Sequence, residues 1–160
     1  MQKGTGASRA LAGASTILAI PMALLLLQPV PASARTIADG IVTGKTDQGY
    51  PYMSGGVGIG ERNQMSTGAQ GYDLKLSFAD RTGKYLSDVK LTIADPRGDQ
   101  IISTTTAGPW FYINLPSGKY DVKASYDNRV EEIKNLDVSQ GQRITRLLHW
   151  SDSDQQLSQN

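Results

Sequence analysis

The sequence predicts an all-β protein folded as an antiparallel sandwich, preceded by an N-terminal signal helix and a glycine-rich lead segment. Three observations lead there. From residue 72 onward apolar and polar side chains alternate with a period of two, and clusters of Gly, Pro, Asp and Asn cut the pattern into short runs. Residues 108–124 place two aromatic-rich strand signals on either side of Leu115-Pro116-Ser117-Gly118, where Pro presets one backbone angle and Gly tolerates positive φ; this reads as a β-hairpin. The chain has no cysteine, so no disulfide framework stands in for a packed core.

Residues 1–34 read as an export signal. Lys3 and Arg9 form a basic start, the apolar run is densest at residues 17–27, and Ala32-Ser33-Ala34 supplies the small-x-small pattern for a cut between Ala34 and Arg35. Pro21, Pro29 and Pro31 interrupt the roughly 20 clean apolar residues of a membrane span, so no stable span is expected once the signal is removed. With no Cys near the cut, a lipid anchor is excluded. A periplasmic or secreted location follows from this reading.

Residues 35–71 form the lead segment. It reads as loop through residue 60, because such glycine density makes regular structure entropically costly. Between 61 and 70 a short helix is allowed, with Met65 and Ala69 four apart on one face.

The sandwich takes residues 72–150, with seven or eight short strands. Tyr72, Leu74, Leu76 and Phe78 alternate with polar residues as a first strand, and Val89, Leu91 and Ile93 as a second. After the turn Asp95-Pro96-Arg97-Gly98, the β-branched run 101–106 is a third. Strands at 110–115 and 119–126 follow, the latter with Tyr120, Val122, Ala124 and Tyr126 in phase. Asp127-Asn128-Arg129 turns the chain into a strand at 130–133, Leu136 and Val138 mark a separate short one, and 142–150 closes the domain. Residues 151–160 are polar and read as a disordered tail.

Charge narrows the partners. Removing the signal takes away Lys3 and Arg9 and leaves 14 Lys+Arg against 15 Asp+Glu, a net of −1. Such balance gives no long-range field to steer nucleic acid. The remaining 126 residues suffice for one domain that buries about two-thirds of its unfolded surface.

No catalytic set, cofactor or metal site is legible. His149 is the sole histidine, and one His without Cys does not make the usual zinc set. Gly56-x-Gly58-x-Gly60 lacks the strand, helix and βαβ context of a nucleotide loop. Asp80, Asp95 and Asp99 match no calcium-loop spacing, and Asp is a common turn former. Arg97-Gly98-Asp99 spells an adhesion tripeptide, yet all three residue types are favoured in turns. Tyr50, Tyr52, Trp110 and Tyr112 are either core residues or a stacking platform for sugar rings.

Several stretches resemble a known module. Asp88-Val89-Lys90-Leu91, Asp95-Pro96-Arg97-Gly98, Trp110-x-Tyr112 and Asn114-Leu115-Pro116-Ser117-Gly118-Lys119-Tyr120 are similar to the carboxypeptidase regulatory-like domain over roughly residues 72–150. The resemblance implies a seven-stranded transthyretin-like (prealbumin-like) sandwich. Upstream, Gly55-Gly56-Val57-Gly58, Glu61, Met65, Tyr72-Asp73-Leu74-Lys75-Leu76 and 83–89 resemble small exported proteobacterial proteins without an assigned activity. Neither resemblance carries catalytic residues to this chain. Transthyretin-like hydrolases of purine degradation use several histidines and a C-terminal Tyr-Arg-Gly-Ser, both absent here.

The strand at 110–115 has two phases. Counting back by twos from Leu115 buries Ile113 and Phe111. The family phase buries Trp110 and Tyr112, with a bulge near Asn114 restoring Leu115 to the interior, and it is the phase expected here. Phe111 and Ile113 then face outward, under the lead segment with Tyr50, Tyr52 and Val57, or open to a partner. The expected function is a non-catalytic exported module that binds a protein or cell-envelope component through the glycine-rich segment and the outer sheet face, with Tyr50, Tyr52, Phe111 and Ile113 as the candidate surface. The alternative is a carbohydrate-binding module that stacks a glycan on exposed aromatic rings.

Overall fold

The computed structural model describes residues 36–150, so the expected signal, its cut between Ala34 and Arg35, and the tail lie outside the described residues. In chain order the elements are β1 (Thr36–Ala38), β2 (Ile41–Lys45), β3 (Pro51–Gly55), α1 (Ile59–Gly68), β4 (Leu74–Asp80), β5 (Lys90–Ala94), β6 (Gln100–Thr105), β7 (Trp110–Ile113), β8 (Gly118–Tyr126), β9 (Arg129–Val138) and β10 (Ile144–Trp150). They make a six-stranded sheet in the order β1-β2-β3-β7-β4-β10 and a four-stranded sheet in the order β6-β5-β8-β9. The all-β, two-sheet architecture is as expected.

Period-two strands put one side of each sheet into a shared core. Leu74, Leu76 and Phe78 of β4, Phe111 and Ile113 of β7, and Leu148 and Trp150 of β10 meet Leu91 and Ile93 of β5, Tyr120, Val122 and Ala124 of β8, and Leu136 and Val138 of β9. A smaller cluster lies on the other side of the six-stranded sheet. There Met65 and Ala69, from the helix end of the lead segment, pack on Ile41, Met53 and Tyr112.

Four expectations need correction. The sandwich is not wholly antiparallel: β10 runs parallel to β4 over seven residues, from Ile144 opposite Leu74 to Trp150 opposite Asp80. The chain reaches β10 from β9 in the opposite sheet, so it crosses the sandwich and enters beside β4 in the same direction. Alternation of side chains encodes which face is buried, not which way a neighbour runs.

The segment Leu115-Pro116-Ser117-Gly118 is not a hairpin turn. β7 lies in one sheet and β8 in the other, so these residues carry the chain across the core. Leu115 is buried on the way, the Tyr120 hydroxyl donates to the Pro116 carbonyl at 2.9 Å, and Gly118 has no positive φ. Two apolar strands next to each other in sequence share a core whether they pair or face each other.

The lead segment is not loop. Asp39 and Gly40, both with positive φ, turn β1 into β2, and β3 pairs with β7 through Tyr52 opposite Ile113 and Gly55 opposite Trp110. The strands of the segment therefore extend the sheet at its edge, while its helix end lies across the outer face over Tyr112. The expected helix forms over Ile59–Gly68.

The expected strands at 130–133 and around Leu136 are one strand, β9, interrupted by a bulge. Tyr120 opposes Leu136 while Val122 opposes Ile133, so Lys134 and Asn135 together face Asp121. Asn135 takes positive φ and its amide donates to Asp121 Oδ1 at 2.8 Å. The extra residue moves the buried set from odd to even numbers. Asp127 and Asn128, both at positive φ, form the tight turn from β8 into β9.

Candidate binding surface

The expected surface residues are in the core. Phe111 and Ile113 are fully buried, Tyr52 is 3% exposed and stacks on Phe111 with ring centroids 5.6 Å apart, and Tyr50 is half-buried against the same cluster. The phase of β7 is thus the simple one, with Phe111, Ile113 and Leu115 inward and no bulge at Asn114. The family-phase expectation failed because Tyr112 is also buried, but on the opposite side, beneath α1. Both sides of β7 are covered, so apolarity alone did not choose between them. Nor do the rings form a sugar platform. Tyr52 and Tyr112 are buried, Trp110 meets Tyr112 at 76°, and the Lys75 ammonium sits 3.3 Å from the Trp110 ring centroid.

The glycine-rich turn between β3 and α1 brings two large apolar side chains to solvent within three residues. Gly58 caps α1 without a side-chain hydrogen bond, which leaves the first amides without a local acceptor. Glu61 in the first turn supplies one further back: its Oε2 accepts from the amides of Gly56 at 3.0 Å and Val57 at 3.1 Å. A carboxylate there also suits the positive end of the helix dipole. Arg62 then donates from Nη1 to the carbonyls of Gly56 at 2.8 Å and Val57 at 2.9 Å. Two neighbouring side chains of opposite charge hold the donors and acceptors of one dipeptide. Gly56 itself needs to be glycine, since its φ is +88° and a Cβ would stand 3.3 Å from Arg62 Cγ and Trp110 Cβ.

The clamped turn projects Val57, 60% exposed, and Ile59, 73% exposed. Tyr85, 48% exposed, joins them through Arg62, whose guanidinium carbon lies 5.5 Å from the Tyr85 ring centroid. Arg62 thus links the backbone of the turn that bears these two aliphatic side chains to the exposed Tyr85 ring.

Beside this tip, the outer side of the sheet carries cations among aromatic rings. In register, Lys75 of β4 faces Tyr112 of β7. Lys75 Nζ is 5.3 Å from the Tyr112 ring centroid and Arg143 Cζ is 5.7 Å from it. Arg143 Nε donates to the Tyr72 carbonyl at 3.0 Å, and its Nη2 donates to the carbonyl of Ala69, the C-cap of α1. Burial, and then the charge of Arg143, hold the Lys75 ammonium below its ordinary pKa. Burial pushes the Tyr72 and Tyr112 phenols up; for Tyr112 a hydrogen bond with Ser66 and the Arg143 charge partly offset it.

The other residues singled out in the sequence are spent locally. Asp80 accepts from the Thr82 hydroxyl and amide and the Lys84 amide, and Asp95 accepts from the Arg97 side chain and the amides of Arg97 and Asp99. The Arg97 guanidinium of the adhesion tripeptide pairs with Asp95 at 2.8 Å and Asp99 at 3.3 Å. His149 is exposed on β10. Among the described residues no group of three His, Cys, Asp or Glu side chains is placed to hold a metal ion.

The Glu61–Arg62 clamp and the Lys75–Arg143 pair escaped the sequence reading. The one local signal for the first was an acidic then a basic residue directly after Gly55-Gly56-Val57-Gly58-Ile59-Gly60. The second joins residues 68 positions apart and has no local signal. No protein-family model matches this chain, and no curated protein matches it significantly.

Proposed function

We propose that this chain is an exported, non-catalytic binding module that presents its glycine-rich turn to a protein of the cell envelope. The observation that carries the proposal is the clamped turn: Val57 and Ile59 are exposed while Glu61 and Arg62 fix the backbone that bears them. A glycine-rich loop left free loses binding energy to ordering, whereas a fixed one has already met that cost. Covering an aliphatic side chain of this size contributes about 1.5–3 kcal/mol, so two together anchor a modest interface. An arginine beside a tyrosine is the composition found at the centre of such contacts.

Export rests on Lys3, Arg9, the apolar run and Ala32-Ser33-Ala34. The absence of catalysis rests on the isolation of His149 and on carboxylates committed to their own turns. In fold we favour a carboxypeptidase regulatory-like, transthyretin-like sandwich. The seven strands from β4 to β10 are its counterpart, and β1–β3 with α1 are an extension at one sheet edge.

The test is photo-crosslinking of the full chain in cells, with a benzophenone side chain at Val57 or at Ile59 and, as control, at the exposed Glu132 of the other sheet. A discrete adduct from positions 57 and 59, absent at 132 and lost when the other apolar tip residue becomes Ser, supports the reading. No adduct, or equal adducts from all three positions, refutes it.

A further inference from the structure

Three cations sit on the outer side of the six-stranded sheet without a carboxylate. Arg62 bonds the carbonyls of Gly56 and Val57 and covers Tyr85, Lys75 covers Trp110, and Arg143 bonds the carbonyls of Ala69 and Tyr72 beside the Tyr112 ring. None of the three takes part in an ion pair among the described residues. The acidic side chains close to them in the chain are engaged elsewhere: Glu61 on the amides of Gly56 and Val57, and Asp73, 4% exposed, on the amide of Gly141 at 2.7 Å.

Lys75 and Arg143 flank the same ring, and each adds to the electrostatic cost of the other. Cation–π contact returns only part of the hydration that a half-buried ammonium gives up. An anion reaching both would relieve the repulsion and form charge-assisted hydrogen bonds.

We propose that Lys75 and Arg143 receive the carboxylates of an acidic, extended polypeptide segment laid across the outer side of β4 and β10. Charge complementarity selects the partner's sign. The register continues the strip in a form that a peptide fits: Thr145 lies beside Lys75, and Leu147, 58% exposed, lies beside Ser77. Lys75 already covers one face of Trp110, so a sugar ring stacking on that face has to displace it, whereas a carboxylate needs only the cation. This deepens the reading of the chain as a binding module, and it rests on that reading while using different residues from the apolar turn.

The experiment titrates the full chain, at low salt, with an acetylated and amidated hexaglutamate peptide. Hexaglutamine, inorganic phosphate and phosphatidylglycerol vesicles are the comparison probes. Calorimetry reads affinity, and amide chemical shifts locate the site. Hexaglutamate is expected to bind while hexaglutamine does not, with shifts centred on Lys75, Ser77 and Thr145. Lys75→Gln is expected to weaken binding about tenfold, whereas Lys75→Arg keeps it, both at unchanged melting temperature.

Absence of hexaglutamate binding, equal binding by Lys75→Gln, or shifts centred elsewhere overturns the proposal. So does binding confined to phosphate or to the vesicles, which assigns the cations to a different source of negative charge. Crosslinking lost at Val57 and Ile59 with peptide binding intact sinks the turn reading alone; the reverse sinks only the acidic-segment proposal.

Discussion

A methyl group on Gly108 tests how the lead strands are joined to the sandwich. Built on the backbone, that Cβ stands 2.4 Å from the Gly55 carbonyl oxygen, 2.5 Å from its carbon and 3.0 Å from its Cα. All three atoms are backbone, so no rotamer change relieves the clash. Ordinary contact needs β3 to retreat by about an ångström, in the range where overpacking costs roughly 1–3 kcal/mol. The retreat also pulls Ser54 from the Ala107 amide, which donates to its Oγ at 2.9 Å; Ser54 is 3% exposed. A part-buried donor and a buried hydroxyl separated from each other cost about 1–3 kcal/mol more. Gly108→Ala is therefore expected to lose about 2–6 kcal/mol, a fall in Tm of roughly 8–24 °C for a domain of this size. Thermal unfolding followed by circular dichroism measures it. Gly98→Ala is the control, because nothing lies within 4 Å of a Cβ there and its φ of +89° alone costs about 1–2 kcal/mol. A Gly108→Ala protein that melts within about 2 °C of the parent refutes the close approach, and with it the union of β3 and the sandwich in one packed unit.

Two further expectations follow from the core and the turns. Phe111→Ala removes a fully buried ring stacked on Tyr52 and is expected to cost about 3–5 kcal/mol in denaturant unfolding; a loss below about 1 kcal/mol would return Phe111 to an outer face. For Asp95, the Arg97 side-chain hydrogen bond, then those from the Asp99 and Arg97 amides, hold the carboxyl below its ordinary 3.8; for Asp80 the Thr82 hydroxyl does most of the same. A depressed folded pKa gives stability that is present above the ordinary value and lost as the pH falls through the depressed one. Carboxyl carbon NMR is thus expected to show both groups titrating below 3.8, with the 95–99 turn opening only in that acid range, and titration of Asp95 at or above 3.8 contradicts its place in the turn.

Strand positions were readable where one side of a strand alone is buried. Leu91 and Ile93, or Tyr120, Val122 and Ala124, alternate in the sequence as they do in the core. β7 defeated the same logic because Phe111 and Tyr112 are both fully covered, one by the opposite sheet and one by α1. Pairing was harder still, since the strand of β10 could be located but nothing local says that it runs parallel to β4. The lead segment was misread by weighing glycine count over position: Asp39-Gly40 between Thr36-Ile37-Ala38 and Ile41-Val42-Thr43 is a strong short-range hairpin signal. Of the candidate surface, the apolar residues were present as letters, but their exposure depends on which neighbours the fold brings up, and no stretch of sequence states that.

The order in which the strands are synthesised differs from the order in which they join. β1, β2 and β3 emerge first and pair with one another, yet β3 finds its second ladder partner only when Trp110–Ile113 has been made, and β4 waits for β7 on one side and for the last strand, β10, on the other. At about 5–20 residues per second the leading three strands spend seconds without the strand that joins them to the rest of the sheet. Pairings so distant in sequence also slow closure of the whole. A polypeptide wired in this way completes its larger sheet only when its last strand is available.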